Sequence, residues 1–435
     1  MLYENWLHTG SLNIKTPYCP PLKGNIKTEC LVIGGGFAGL HAALRLADAK
    51  KQVVLLEKSI CGSGSSGQSG GFLVPESEED MEQLIESYGK EKAKIAYNIP
   101  KKGVDIIVSI AKKYKFNCDL RKQDSLFISI KEAHNEWIKL GAKLKKEMGL
   151  KYEFYDEKTI KKIHPGKGYL SGLKYPGSYG INSFAYCQEM KNLLLKKGVK
   201  IYEDGEVHKL EGNTAKTRNT ARTHLGSVTA KNILICVDKL KSEIDDDLSK
   251  KYYHLQTYLA VSEPMQKAEM KSLFPKEELM CWDTRMIYLH YRPVNGNRII
   301  IGGSSPWAYY YPKYLYNPKV IQKFIDELKE RFPEIKDVEF THYWSGLIDV
   351  TKDLMPIVDY DKYNKSIQYA MGCAGLNWAA FCGDYIARRV INPKSTEDLT
   401  EFLGMDRKFF LSGYMQRILG KRITFALSHL YEYLK

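Results

Sequence analysis

Apolar and polar positions between Leu31 and Lys58 fall into blocks that name their own elements. Leu31-Val32-Ile33 is a short apolar run, and a glycine turn follows it. Apolar positions then recur at helical spacing through LHAALRLADA, and Val53 to Leu56 is apolar again. This pattern predicts strand, turn, helix, strand. Further on, helices are expected over Ser77–Tyr97 and Pro100–Tyr114, the second with proline in its first turn. Ser125 to Ile130 reads as a strand and Glu132 to Met148 as an amphipathic helix. A helix ending at Lys197, stopped by Gly198, leads to strands at Val199–Tyr202 and Asn232–Val237. These resume the strand–helix alternation, so the first domain is discontinuous in sequence. From Tyr252 to Gly302 the runs are long and alternating, with Asn295-Gly296-Asn297 as a hairpin turn. A helix over Pro318–Arg331 follows, and QYAMGCAGLNWAAFCGDYIARRV reads as strand, glycine turn and helix.

The predicted class is α/β in two domains: a discontinuous Rossmann-type dinucleotide domain (28–100, 165–240 and 340–390) and an antiparallel-sheet substrate domain (101–164 and 241–339). Residues 1–27 form an irregular lead-in and 391–435 a helical tail. Within the first domain Gly34, Gly36 and Gly39 fit G-x-G-x-x-G. Gly34 makes the tight turn, Gly36 admits a pyrophosphate to bare backbone, and Gly39 lets helix and strand pack closely. The helix N-terminus offers unpaired N–H groups to phosphates. Glu57 closes the second strand, where a carboxylate can take ribose hydroxyls. The next stretch, CGSGSSGQSGGFLVPES, is either a flexible linker or backbone wrapped around a ligand. Its place directly after the strand favours the ligand.

Composition changes this picture little. The 435 residues are 44% hydrophobic and 27% charged, a globular balance. No apolar run reaches the roughly 18 residues of a membrane helix, and MLYENWLHTG lacks the apolar core of a signal peptide. Nine scattered cysteines with no C-x-x-C indicate neither zinc nor a disulfide framework, and free thiols fit a cytoplasmic protein. The net charge of +14 is spread along lysine-rich helices. It marks a solvated surface or attraction to an anionic partner or membrane, and no nucleic-acid partner is expected.

In order along the chain stand PPLKGNI, ECLVIGGGFAGL, SGSSGQSGGFLVP, YLAVSEP, YRPVNGNRIIIGG, YWSGLIDVTKDLMPIVD and YAMGCAGLNWAAFCG. With these blocks the chain resembles the D-amino-acid-oxidase-like (DAO) superfamily of FAD-dependent oxidoreductases over about residues 17–390, and within it the gamma-glutamylputrescine oxidase group. The resemblance implies that Gly34, Gly36, Phe37, Ala38, Gly39, Glu57 and Lys58 hold the ADP half of FAD. It implies that Ser66, Gln68, Ser69, Gly70, Gly71 and Phe72 wrap the pyrophosphate and the isoalloxazine edge, and that the Val207 backbone meets the adenine. Gly372, Gly375, Leu376 and Asn377 then bring a helix N-terminus to the flavin C2 carbonyl, where it stabilises charge arriving with a hydride. The family's Gly-His-Gly stands here as Gly375-Leu376-Asn377. The arginine that binds the substrate carboxylate in amino-acid oxidases is replaced by Ile348. An amine or a longer substrate is therefore expected over a simple amino acid.

Alternation on Met286–Arg292 puts Tyr288, His290 and Arg292 on one face, which is either a cavity wall or a solvent-facing edge. Arg292 is the candidate fork for a substrate carboxylate, His290 a proton acceptor, and Trp344 a ring over the flavin or in the core. No cysteine or histidine stands at the attachment positions, so FAD is expected to be non-covalent, and no metal is expected. The leading function is oxidation of an amine or amino-acid C–N bond by hydride transfer to flavin N5, giving an imine that hydrolyses. The electron acceptor is O2 or a carrier. The alternatives are a dehydrogenase serving a quinone or carrier and a non-catalytic flavoprotein that binds a partner. The tail is expected to dock on the protein itself, with peripheral membrane contact as the alternative.

Overall fold

A computed structural model describes the whole chain except residues 11, 13, 78–80, 212–218, 312, 352, 395, 408–412 and 435. Two large sheets carry the architecture. In the eight-stranded sheet, Gly24–Ile33 pairs in parallel with Val53–Leu56 on one side and Gly226–Ile235 on the other. Lys200–Tyr202 and Ile367–Met371 extend the parallel array outwards. The apolar residues of these strands feed two cores: one face packs on helices including Phe37–Asp48 and Leu376–Ile391, and the other on Leu22, Val207, Ala221, Leu240 and Leu248. The nine-stranded sheet centres on the long antiparallel pair Tyr252–Ser262 and Phe340–Thr351. The hairpin His290–Val294/Arg298–Gly303 lies beside it, turned through Gly296 and Asn297 at φ 74° and 59°.

Several boundaries differ from expectation. The helix Lys90–Tyr114 contains Pro100 and runs through the expected 100/101 boundary, while a separate helix, Met81–Tyr88, ends at Gly89. Gly89, at φ 76°, supplies the break that the sequence reading assigned to proline. The buried face of the longer helix, including Val104, Ile107 and Ala111, joins the core of the dinucleotide domain. Ser171–Tyr175 and Phe340–Thr351, expected in the dinucleotide domain, are strands of the other sheet. The lead-in is also more ordered than expected. Leu2–Tyr3 pairs with the edge strand Phe340–Thr351, and Trp6 and Leu7 are buried. The polar strand begins at His290, not Met286.

Each domain core contains one neutral histidine held by the same device. Nδ1 of His41 lies 2.8 Å from the Phe37 carbonyl and Nε2 lies 3.0 Å from the Tyr186 hydroxyl. Nδ1 of His164 lies 2.6 Å from the Leu273 carbonyl, with Nε2 on Tyr291. A carbonyl only accepts, so Nδ1 carries the proton and Nε2 accepts from the tyrosine. Burial pushes both rings down to about 4. Since the folded values lie below the unfolded one of about 6.5, each ring takes up a proton on unfolding between those limits. Stability should therefore be full above pH 6.5 and fall toward pH 4, by up to roughly 1.4 kcal/mol per pH unit for each ring. Urea midpoints measured from pH 7 to 4.5 should show this decline, and a flat profile would contradict the buried neutral rings.

Candidate active site

The glycine turn is as tight as its sequence implies. Gly34 sits at φ 106°, and a Cβ there would lie 2.2 Å from the Cys236 carbonyl oxygen. A Cβ on Gly39 would meet the Gly34 oxygen at 1.8 Å, so this turn and the helix Phe37–Asp48 touch backbone to backbone. Above that helix N-terminus stands Ser66, whose Oγ accepts from Phe37 N–H at 3.0 Å and lies 2.8 Å from a Cβ built on Gly36. Glu57 accepts from Gly35 N–H at 2.6 Å and Ser59 N–H at 3.0 Å. Burial raises its pKa, and those two N–H groups oppose the rise. Gly205 donates to the Glu57 carbonyl, which brings buried Val207 alongside. Lys58 is exposed next to them.

One anchor here went unseen in the sequence. Glu203 is fully buried and accepts from Cys61 N–H (2.8 Å), Cys19 N–H (3.0 Å) and the Lys191 ammonium (2.6 Å). It staples the start of the glycine–serine loop to the dinucleotide sheet. No local motif marks such a residue, because its three partners come from distant segments.

The loop then lies against one face of the nine-stranded sheet. Trp344 donates from Nε1 to the Gln68 carbonyl at 3.0 Å and packs in a core with Trp6, Leu7 and Leu259. Gln68 donates to the Ser63 carbonyl, and its buried Oε1, facing Gly346, has no hydrogen-bond partner among the described residues. Gly71 is at φ 74°, where a Cβ would strike the Ile181 carbonyl at 1.8 Å. Ser69 accepts from Gly71 N–H and its own carbonyl takes the Ser183 hydroxyl.

Arg292 holds this loop, and that corrects its expected role. The guanidinium is fully buried and donates to Gly70 O (2.8 Å), Ile181 O (2.6 Å), Pro293 O (3.1 Å) and Gln123 Oε1 (3.3 Å). Burial lowers its pKa to about 10. With four of its five N–H donors on protein oxygens and the group fully buried, it is not a free fork for a substrate carboxylate. The face expected from alternation does turn toward the loop. His290 meets the Phe72 ring edge-on at 5.4 Å, and Tyr288 lies edge-on to His290 at 5.5 Å. Burial pushes His290 down to about 4, so its ring is neutral at neutral pH.

Opposite, Gly375 at φ 111° caps the helix Leu376–Ile391, and Gly372 is at φ 61°. Asn377 donates to the Val74 carbonyl at 2.8 Å, tying that helix start to the end of the glycine loop. A Cβ on Gly103 would lie 1.9 Å from the Asn377 oxygen, and one on Gly383 would lie 1.9 Å from the Ala38 oxygen. The helices Lys90–Tyr114, Leu376–Ile391 and Phe37–Asp48 are thus locked at glycine contacts. Ile348 faces Tyr253, Leu255 and Ala374. Its neighbour Asp349 accepts from Lys239 N–H and His254 Nδ1, and burial together with the Asp349 charge raises the pKa of Asp238 beside Ser65. This acid pair was also invisible to sequence reading.

The model of the FAD-dependent oxidoreductase family DAO matches residues 29–389. The chain belongs to this family. The chain is 26% identical over 377 residues to gamma-glutamylputrescine oxidoreductase of Escherichia coli K12, covering 85% of this chain and 84% of that protein. It is 25% identical over 412 residues to the probable oxidoreductase OrdL of Haemophilus influenzae, covering 93% and 92%. Its fold matches glycine oxidase from Geobacillus kaustophilus with a TM-score of 0.75 at 16% identity, over 88% of this chain and 99% of that one. The residues present fit a flavin dinucleotide. The turn through Gly34 and Gly36 and the loop through Gly70 and Gly71 present backbone bare of side chains, and among the described residues Gln68 Oε1 is a buried acceptor left unmet.

Two substitutions test this geometry. Gly36→Leu should abolish FAD retention after gel filtration, because its side chain displaces Ser66 and fills the phosphate approach. Arg292→Met should cost at least about 3 kcal/mol of stability, since several buried carbonyls lose a charged donor together. It should also release flavin more readily. A variant of full stability that showed only a raised KM would return Arg292 to the substrate site.

Proposed function

We propose that this enzyme oxidises the carbon–nitrogen bond of an amine or amino-acid substrate, with FAD held non-covalently. Bound FAD supplies a two-electron acceptor at N5, and the resulting imine hydrolyses in water. The observation that carries the preference for an amine is Ile348. It sits in an apolar wall with Tyr253, Leu255 and Val350, on the sheet face that also meets Gln68 through Gly346. No carboxylate fork is offered by Ile348 or by the engaged Arg292. The similarity to a gamma-glutamylputrescine oxidoreductase supports the same substrate class.

The chain's own residues then position and desolvate. Glu57, Val207 and the glycine turn suit the adenosine and pyrophosphate, with Lys58 exposed beside them. Ser66, Gln68, Ser69, Gly70, Gly71 and Phe72 suit the ring edge, and the Gly375-Leu376-Asn377 helix start suits its carbonyl end. His290 stands at Phe72 with Tyr288 beside it, and its neutral imidazole can accept a proton. Cys61 is fully buried against Gly35, and Cys373 is engaged with Cys382, which supports non-covalent binding.

A second reading has one observation in its favour. The helix Gly413–Leu434 exposes Ile418, Ile423, Leu427 and Leu430, and the chain carries +14, a combination suited to docking with a carrier or an anionic membrane surface. Among the described residues no helix is long and apolar enough to cross a membrane.

Purified protein should be yellow and release intact FAD into the supernatant on heat denaturation. Anaerobic addition of a panel of amines and amino acids should bleach the flavin band with an amine in preference to simple amino acids. Rapid recovery of colour in air would mark an oxidase, and slow recovery a dehydrogenase. Flavin that stays with the precipitate would refute non-covalent binding, and a panel that never bleaches it would refute the enzymatic reading.

A further inference from the structure

The family match ends at residue 389, yet the chain continues into the helix Gly413–Leu434, which turns an aromatic side chain inward. Phe425 is only 2% exposed, while Ile423 and Leu427 on the same helix are 52% exposed. Its ring stacks on Tyr253 with centroids 4.2 Å apart and planes 9° apart, and meets Tyr310 at 5.9 Å and 72°. Tyr253 pairs across the sheet with Val350, two residues along from Ile348 and on the same face. Phe425, Tyr253, Leu255, Val350 and Ala374 form one buried cluster, with Ile348 and Tyr310 packed against it. Ala374 lies in the turn that starts the helix Leu376–Ile391.

The far side of this wall reaches the segment that leads into the candidate residues. Tyr310 contacts the Met286 sulfur at 3.9 Å, two residues from Tyr288. Arg422, one turn before Phe425, lies over the Trp307 ring at 4.5 Å and donates to the Trp307 carbonyl at 3.3 Å. The segment Pro306–Tyr309 is therefore clamped between the C-terminal helix and the sheet. Thr424 donates to the Gly420 carbonyl, and Gly420, exposed and at φ 76°, kinks the helix just before it.

We infer that the C-terminal helix is the outer wall of the substrate cavity and that Phe425 is a specificity-determining residue, limiting the length of an amine whose far end is apolar. The inference rests on the proposed amine oxidation for its substrate class. The chemistry follows from the wall. Tyr253, Phe425, Leu255 and Ile348 offer apolar contact, and stacking occupies the facing ring surfaces of the aromatic pair. An alkyl or arylalkyl chain gains by burial there, whereas a carboxylate finds no charged partner among these side chains.

Phe425→Ala and the milder Phe425→Leu, made in the full-length holoenzyme, test this in two ways. First, acrylamide quenching of flavin fluorescence reports access to the cavity without turnover. The quenching constant should rise at least two-fold in Phe425→Ala, with Phe425→Leu between it and the parent, and FAD content unchanged. Second, anaerobic flavin reduction by n-alkylamines from butylamine to decylamine should shift in preference. Phe425→Ala should gain about ten-fold in kcat/KM for the longest relative to the shortest. Unchanged quenching in both variants places Phe425 away from the cavity and overturns the inference. Raised quenching with an unaltered chain-length profile overturns the specificity role. If no amine reduces the parent flavin, the proposed function fails, while quenching still decides whether the helix walls the site.

Discussion

A loop made of glycine and serine has almost no side chains with which to fix itself, so its shape must be imposed from outside. Residues 62–71 face this problem, and Arg292 answers it. Its guanidinium reaches from the nine-stranded sheet to the carbonyls of Gly70 and Ile181, joining the loop to the strand pair Phe72–Leu73/Tyr179–Gly180. A buried cation without a carboxylate partner is costly unless its donors are met, and here four oxygens meet four of its five N–H groups. The charge therefore locks one loop geometry, because any displacement of Gly70 or Gly71 strands both a cation and its acceptors. The rest of the site inherits its position from this clamp: Phe72 follows directly, His290 packs on the Phe72 ring, and Tyr288 packs in turn on His290.

The same logic governs the helices. Where side chains would keep two backbones apart, Gly39, Gly103 and Gly383 bring them into contact, each leaving less than 2 Å for a Cβ. Three helices are thereby held backbone to backbone, one of the contacts at Asn377, with little freedom to shift. A helix start aimed at a cofactor contributes electrostatically only if it is preorganised, since reorientation during the reaction would consume the stabilisation it offers. Glycine contacts in the dinucleotide core and the Asn377–Val74 bond together make that orientation rigid.

This explains what was legible beforehand. Local patterns carry local facts: the turn at Gly34, the stop at Gly198, the hairpin at Gly296 and the helix Pro318–Arg331 all appear where spacing placed them. Alternation also assigned Tyr288, His290 and Arg292 to one face. It could not say what covers that face, so the arginine looked free when it was already bound to four protein oxygens. Glu203 with Lys191, Asp238 with Asp349, and Phe425 with Tyr253 share the same obscurity. Each joins segments that only the folded chain brings together, and charge or aromaticity at a single position gives no clue to its partner. Pro100 failed in the opposite way, as a strong local signal overridden by packing along a 25-residue helix.

If the inferred substrate cavity is walled by Ile348, Leu255 and the paired aromatic rings, that wall has a consequence for the proposed amine. An alkylammonium has a pKa near that of lysine, about 10.4, so only about one molecule in a thousand is neutral at physiological pH. The charged form would lose its hydration on entry without gaining a carboxylate from this wall. The neutral form loses far less, and it alone has the nitrogen lone pair that C–H cleavage beside it requires. His290, kept neutral by burial, adds no positive charge to repel an entering ammonium ion and remains able to take up a proton at Nδ1 or Nε2. Desolvation by the wall and selection of the reactive protonation state are thus one physical effect. An arginine at position 348 would bring in a carboxylate and its water, and so weaken that effect.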